Sequence, residues 1–363
     1  MATTYKSLST NDIVTTKTLL HEAIPITGTI VSGTYLDGSN EISIKNYTHG
    51  MFQSVYDYPY LSSSANHIFD LSVGFHADSS LSGTSNSHVQ VAKKINMYNQ
   101  MAQVLMGYDE NGNIRKFDED GDLTGGTKME EVIFINFARL LTKDEIKKGS
   151  FNLEIGTEEV FGTPFSERIK LVDTNAQNDY RVNSPAGDYA ILYADSTAGT
   201  NLTTDDGTQK AGLIFYQAGI AVVSASVFLE QSEGGILLNT KNSSNMSGSS
   251  HIDDMLSGSA ISASCDAIRH RIYNVQFNNT TELNSTVYFC RAHHNEFNYS
   301  TNPTYLSSSK LVVKNNASDT PVSYITTVGL YSADNELLAV AKLSEPLKKD
   351  PSNELTLRVR LDY

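Results

Sequence analysis

Ala211-Gly-Leu-Ile-Phe-Tyr-Gln-Ala-Gly-Ile-Ala-Val-Val-Ser-Ala-Ser-Val-Phe-Leu229 lies between Lys210 and Glu230 and carries no charge. A run of this length approaches what a helix needs to cross a bilayer. Its composition argues otherwise. Gly212, Gln217, Gly219, Ser224 and Ser226 interrupt the apolar surface. The second half, with Ile220, Val222, Val223 and Val227, is β-branched, stiff about χ1 and suited to a pleated strand. The stretch therefore predicts two buried strands broken at Gln217-Ala218-Gly219, and no membrane span.

The same reading extends outward. Val132-Ile-Phe-Ile-Asn-Phe137 is a near-continuous apolar strand, and another is expected near His67 to Phe75. Ile24-Pro-Ile-Thr-Gly-Thr-Ile-Val31 is β-rich, Tyr35 to Asn40 carries an Asp-Gly turn signal, and Glu41 to Lys45 alternates, with Ile42 and Ile44 on one face. A tyrosine-rich segment (Tyr56, Tyr58, Tyr60) surrounds Pro59. Val91, Ile95, Tyr98, Ala102 and Leu105 fall at helical spacing and predict a helix over 88–106, stopped at Gly107. Thr142-Lys-Asp-Glu145 reads as a capping box opening a short helix that Gly149 closes. Beyond Phe151 the chain reads as strand and loop. A Gly/Ser/Asn-rich interaction loop spans Gly234 to Ser264, and a hairpin follows: Ala267 to Phe277, turn at Asn278 to Ser285, Thr286 to Ala292. At the end, Tyr324 to Tyr331 and Leu337 to Leu343 form strands around a turn at Ala333 to Glu336, and Pro346 to Ser352 links to a last strand. That strand has Leu355, Leu357, Val359 and Leu361 on one face and Thr356, Arg358, Arg360 and Asp362 on the other.

The fold class expected is mainly β (α+β): antiparallel β-sandwich-like lobes with one longer and one short helix. Two lobes are expected, 1–150 and 151–363, the second ending in a β-module over 323–363. The two cysteines among 363 residues exclude a disulfide scaffold. A net charge of −14 argues against a broad nucleic-acid footprint, and the stretch from Tyr108 to Glu131, with eight acids and three bases, would repel DNA. Met1 to Leu20 lacks an apolar core behind a basic start, so no secretory leader is expected.

Candidate chemistry reads weakly. Asp118, Asp120 and Asp122 match the first, third and fifth ligand positions of a calcium loop, but Leu123 stands where the sharp turn needs glycine; counting from Asp109, that place is Ile114. A solvated acidic hairpin is the simpler expectation. Cys290-x-x-His293, with Cys265, His270 and His294, suggests zinc. A hairpin turning near Thr281 would set His293 opposite His270 and Cys290 opposite Tyr273, with Cys265 roughly 27 Å further along at strand rise, so neither a disulfide nor a four-ligand site is expected. Asp253 and Asp254 are neighbours in a Ser/Gly loop and Glu158-Glu159 is similar; adjacent residues on a strand point to opposite faces and make poor acid/base pairs. No nucleophile elbow, phosphate loop or H-E-x-x-H occurs. No catalytic, cofactor-binding or metal-ligating residue is assigned, no cofactor is expected, and the chain is not read as an enzyme. The many tyrosines suit protein interfaces, where the ring is buried and the hydroxyl stays wet.

Thr327-Val-Gly-Leu-Tyr-Ser-Ala-Asp-Asn-Glu-Leu-Leu-Ala-Val-Ala-Lys342, with Pro346-Leu-Lys-Lys349 and Leu357-Arg-Val-Arg360, resembles the end of the tail-collar, fibre-attachment domain of tailed bacteriophages. There a similar hairpin precedes a final amphipathic strand; Asn335 stands where that family often has glycine. Gly212 to Val223, Val55 to Tyr60 and Phe117 to Asp122 are also similar to segments of phage virion proteins. The resemblance implies a structural component of a tailed-phage virion (tail, baseplate or neck). Its partners would be other virion structural proteins and further copies of itself, with no nucleic acid and no membrane, and its location the virion assembled in the host cytoplasm. A receptor-binding or adhesive virion protein is one alternative, although no sustained heptads suggest a fibre stalk. A virion-associated glycan hydrolase, needing two carboxylates some 5–10 Å apart, is the other.

Overall fold

A computed structural model describes residues 5–27, 43–59, 61–83, 88–196, 209–237, 245–299, 306–307, 310–311, 318 and 321–363. The Asp-Gly turn of Tyr35 to Asn40, Ile42, Tyr60, the Gly28 to Val31 end of the first strand and part of the Gly/Ser/Asn-rich loop lie outside them.

The first strands are β1 (Ile13–Thr27), β2 (Ile44–Asn46), β3 (Gln53–Tyr56) and β4 (His67–Phe75), followed by helix α1 (Val89–Leu105). Next come β5 (Phe117–Asp118), β6 (Lys128–Met129), β7 (Glu131–Phe137), the one-turn α2 (Arg139–Thr142), β8 (Glu145–Ile146), β9 (Asn152–Gly156), β10 (Arg168–Val172) and β11 (Tyr189–Ser196). The chain continues through β12 (Gln209–Phe215), β13 (Ile220–Ser224), α3 (Ile252–Ser257), α4 (Ile261–Arg269) and β14 (Ile272–Ala292). It ends with β15 (Leu306–Ser307), β16 (Lys310–Leu311), β17 (Ser323–Tyr331), β18 (Leu337–Lys349) and β19 (Leu355–Asp362). Among the described residues, thirteen strands form one sheet in the order β1-β14-β9-β10-β11-β12-β13-β7-β4-β3-β2, with β8 and β19 also pairing β14. The chain is thus mainly β, with a large antiparallel sheet. It divides into two compact units, Met1–Leu19 with Glu282–Tyr363, and Leu20–Thr281. The boundary expected near residue 150 falls inside the second.

The stretch that decides the class folds as two strands. β12 and β13 pair antiparallel from Gly212↔Val223 to Phe215↔Ile220. Gly219, at φ +69°, makes the turn, and its N–H donates to Phe215 O. The second strand ends at Ser224, whose hydroxyl accepts from Ser226 N and opens a 3-10 turn over Ala225–Phe228, with Val227 and Phe228 still buried. No helix among the described residues is long and apolar enough to cross a membrane.

In the larger unit both faces of the sheet are covered, which is why its strands are nearly continuous in apolar residues. Phe69, Leu71, Val73 and Phe75 of β4 and Ile133, Ile135 and Phe137 of β7 join a core that reaches β9, β10 and β14. The alternate residues Val132 and Phe134, with Leu213, Phe215 and Val222, face a second core beneath α1. Helix α1 presents the stripe its spacing predicts: Ile95, Tyr98, Ala102 and Leu105 are buried, and Gly107, at φ +75°, stops it. The helix sits against β4 at Gly74, where a Cβ would lie 2.9 Å from both Lys94 O and Tyr98 N. Gly74→Ala is expected to destabilise by about 1–3 kcal/mol, because a rigid backbone must retreat. Chemical denaturation with α1 helicity as the readout checks this.

Four expectations need correction. Thr142 ends a helix instead of opening one. Lys143 takes φ +56°, which breaks the helix, and Glu145–Ile146 pairs with Thr280 and Asn279 of β14 as β8, so the capping-box letters serve a strand. The Gly/Ser/Asn-rich region contains α3 and α4, which bury Ile252, Met255, Leu256, Ile261, Cys265 and Ile268. Among the described residues there are consequently four helices, not one longer and one short. The hairpin expected over Ala267 to Ala292 is instead α4 followed by a continuous strand, β14. Its asparagine-rich middle does not turn because tertiary partners satisfy it. Asn279 pairs with Ile146, donates its side-chain amide to Leu141 O and accepts from Glu22 N, while Ser285 to Ala292 pair with β19.

In the smaller unit, β17 and β18 pair antiparallel, with register shifts near Thr326 and Tyr331. Asn335 takes φ +66°, the left-handed conformation that makes glycine common at such a turn and that asparagine tolerates. β18 runs through Pro346 to Lys349, further than expected. In β19, Leu355, Leu357, Val359 and Leu361 are the less exposed set and Thr356, Arg358, Arg360 and Asp362 the exposed set, as the period of two predicts.

Candidate functional site

Two places in the fold carry features beyond packing. The first is the acidic loop between β5 and β6. Phe117 pairs with Met129, and Asp118 pairs with Lys128. Phe117 is buried against Tyr98 and Phe134, which anchors the loop's base. Gly121, Leu123, Gly125 and Gly126 all have positive φ, so the chain coils tightly above that base. The turn for which the calcium-loop pattern calls for glycine is made by Leu123 itself, at φ +65°, and its N–H donates to Asp118 Oδ2 over 2.7 Å. Thr124 N donates to Asp122 Oδ1 over 2.7 Å, and Tyr189 donates its hydroxyl to Gly121 O over 3.1 Å. One oxygen each of Asp118, Asp120 and Asp122 can lie within 4.8 Å of the others. The obstacle that the sequence set against a calcium loop is therefore absent.

A second group of ligand types, His76, Asp78 and Glu130, also comes together. Lys116 fills it, holding Asp78 at 2.8 Å and Glu130 at 2.7 Å, and burial with the Lys116 charge lowers the pKa of His76. That group is a surface ion-pair cluster.

The hairpin register that would set His293 opposite His270 does not arise, because β14 is one continuous strand. His270 precedes the first residue of β14 and His293 follows its last, so they are not cross-strand neighbours. Both cysteines are free thiols. Cys265 is fully buried in α4, where burial raises its pKa, and its sulfur donates to Leu71 O. Asp253 and Asp254 lie in the first turn of α3, not on a loop or strand, and both are exposed there. Acidic residues at that end favour the helix. Glu158 and Glu159 occupy a loop in which Glu159 N donates to Glu158 Oε1.

The second place is the β17–β18 ribbon. From Tyr324 to Lys348 no residue of either strand is fully buried, and Tyr324, Leu337, Leu338 and Val340 are more than half exposed. The N-terminal segment behaves alike: Ile13, Val14, Leu19 and Leu20 of β1 are exposed. Tyr5 meets Tyr331 with ring centroids 4.7 Å apart. A lone two-stranded ribbon is marginal in water, and this one carries apolar residues into solvent.

Sequence reasoning also passed over four fully buried cations, Lys94, Arg269, Arg271 and Lys349, since nothing local distinguishes them from surface lysines and arginines. Lys94, Arg271 and Lys349 are held largely by backbone carbonyls, whereas Arg269 donates to Gln53 and Asp266. No family model matches the chain, and no curated protein or solved structure matches it.

Proposed function

We propose that the chain is a structural component of a tailed-bacteriophage virion, in the tail, baseplate or neck, that acts by protein–protein assembly and attachment in several copies. The observation that carries this reading is the β17–β18 ribbon. It is the segment that resembles the fibre-attachment module, and its apolar residues lack a covering layer within the described chain. Association with further copies or with other virion proteins would supply that layer. The same reading treats the lobes as sandwich-like. Its support is that the strands of the larger unit from β9 to β14, together with β3, β4 and β7, contribute to one shared core, as layers folded onto each other would.

The test is sedimentation equilibrium of the purified chain, together with labelling of the chain in intact particles. A defined oligomer, with the label on tail, baseplate or neck, is the expected result. A chain that stays monomeric up to about 100 µM and binds no virion protein would overturn the proposal.

A further inference from the structure

We infer that the β5–β6 loop is a divalent-cation site for calcium, with the carboxylates of Asp118, Asp120 and Asp122 as its protein ligands. The deciding atom is Asp118 Oδ1. The Asp118 side chain is 1% exposed, and its two oxygens have different fates. Oδ2 is held by Leu123 N at 2.7 Å and Lys128 Nζ at 2.8 Å. Oδ1 is buried and accepts no hydrogen bond. A buried carboxylate oxygen without a hydrogen-bond partner is costly, and it leaves room for a further ligand.

Oδ1 also points where a neighbouring ligand points. The position that a Cβ on Gly126 would occupy lies 3.7 Å from Asp118 Oδ1 and 3.2 Å from Asp120 Oδ2. Both oxygens thus face the same space, which the missing side chain of Gly126 leaves open, and Asp122 reaches the group from the same coil. Charge points the same way: Asp118, Asp120 and Asp122 bring three carboxylates together, and the ammonium groups paired with them are Lys128 on Asp118 and Lys210, 3.8 Å from Asp120. All-oxygen carboxylate ligation from an irregular loop suits calcium, whereas magnesium demands near-ideal octahedral geometry and keeps its water.

Lys128 is the internal competitor for Asp118, and this gives the site a signature that a merely structural loop lacks. Removing the ammonium should tighten calcium binding, whereas removing a carboxylate charge should weaken it. The probe is calcium chloride added to the metal-stripped full chain. Binding is read by calorimetry and by displacement of terbium, whose luminescence Tyr189 can sensitise because its hydroxyl bonds to Gly121 O. One calcium per chain is expected, with a dissociation constant below about 1 mM. Asp120→Asn with Asp122→Asn keeps the side-chain oxygens that accept from the turn and should weaken binding at least tenfold; Lys128→Met should strengthen it several-fold. Lack of saturable binding below about 1 mM, or equal affinity in the wild type and the double variant, overturns the assignment. Circular dichroism of each variant confirms that the fold is retained.

Discussion

Lys94→Met is expected to destabilise the larger unit by about 3 kcal/mol, moving its urea midpoint by about 1 M or more. Lys94 leaves α1 on its buried side and donates to Met255 O at 3.2 Å, to Leu256 O, and to Ser259 O at 2.6 Å. These carbonyls lie at or just past the C-terminal end of α3, where a helix has no acceptor partners of its own and its dipole is negative. One ammonium therefore closes a helix end from another element. Methionine keeps the length and the apolar stem but leaves the carbonyls buried without a donor, at a cost of about 1–3 kcal/mol each, partly offset because a buried charge is also removed. Burial pushes the lysine's pKa from 10.5 down to about 8, with the buried Cys265 opposing weakly. Between those values the folded chain has released a proton that the unfolded chain still holds, so this group's contribution to stability rises with pH across that window. Below about pH 8 both states carry the charge and the contribution is flat. The stability difference between wild type and Lys94→Met should therefore widen by about 3 kcal/mol from pH 8 to 10.5. A difference that stays flat or narrows with rising pH would show that the folded chain keeps the amine charged across that window.

The fold was legible where a period could be counted against one partner layer. Ala211 to Leu229, Val132 to Phe137, the stripe from Val91 to Leu105 and the last strand all folded as their spacing required, because burial on a fixed face dictates both residue type and interval. The misreadings came from local composition overruled by distant partners. Asn278 to Ser285 carries turn-forming residues, yet β8 and β19 pair with its ends and make it strand. The Ser/Gly content of the 234–264 region hid Ile252, Met255 and Leu256, and Ile261, Cys265 and Ile268, whose intervals were already helical. Leu123 illustrates the limit for sites. A glycine rule identifies residues that tolerate positive φ cheaply, but a loop braced by Asp118 and by Tyr189 can hold a leucine there. The buried oxygen of Asp118 has no sequence signature, since its isolation depends on how β5, β6 and Gly126 meet.

Leu338→Glu combined with Val340→Glu is expected to weaken self-association at least 100-fold while leaving the thermal midpoint of the folded chain nearly unchanged. Both residues lie on β18, two apart, and Leu338 is the extra residue where the ladder shifts register opposite Leu330 and Tyr331. Leu338 is 67% and Val340 51% exposed, so neither contributes much to the fold of one chain, and surface changes of this kind usually stay within about 0.5 kcal/mol. Buried in an interface, each apolar side chain contributes about 1.5 kcal/mol or more. Losing both amounts to about 3 kcal/mol, which is roughly two decades in dissociation constant, before the cost of desolvating the new carboxylates is added. Glutamate suits the test because an exposed ribbon accepts it without strain, whereas a covered one cannot. Sedimentation equilibrium at matched concentrations gives the readout, with Thr356→Glu, an exposed position of β19, as a control that changes charge on a strand outside the ribbon. A double variant that assembles as tightly as the wild type would move the contact surface off the ribbon and remove the main physical support for an attachment module.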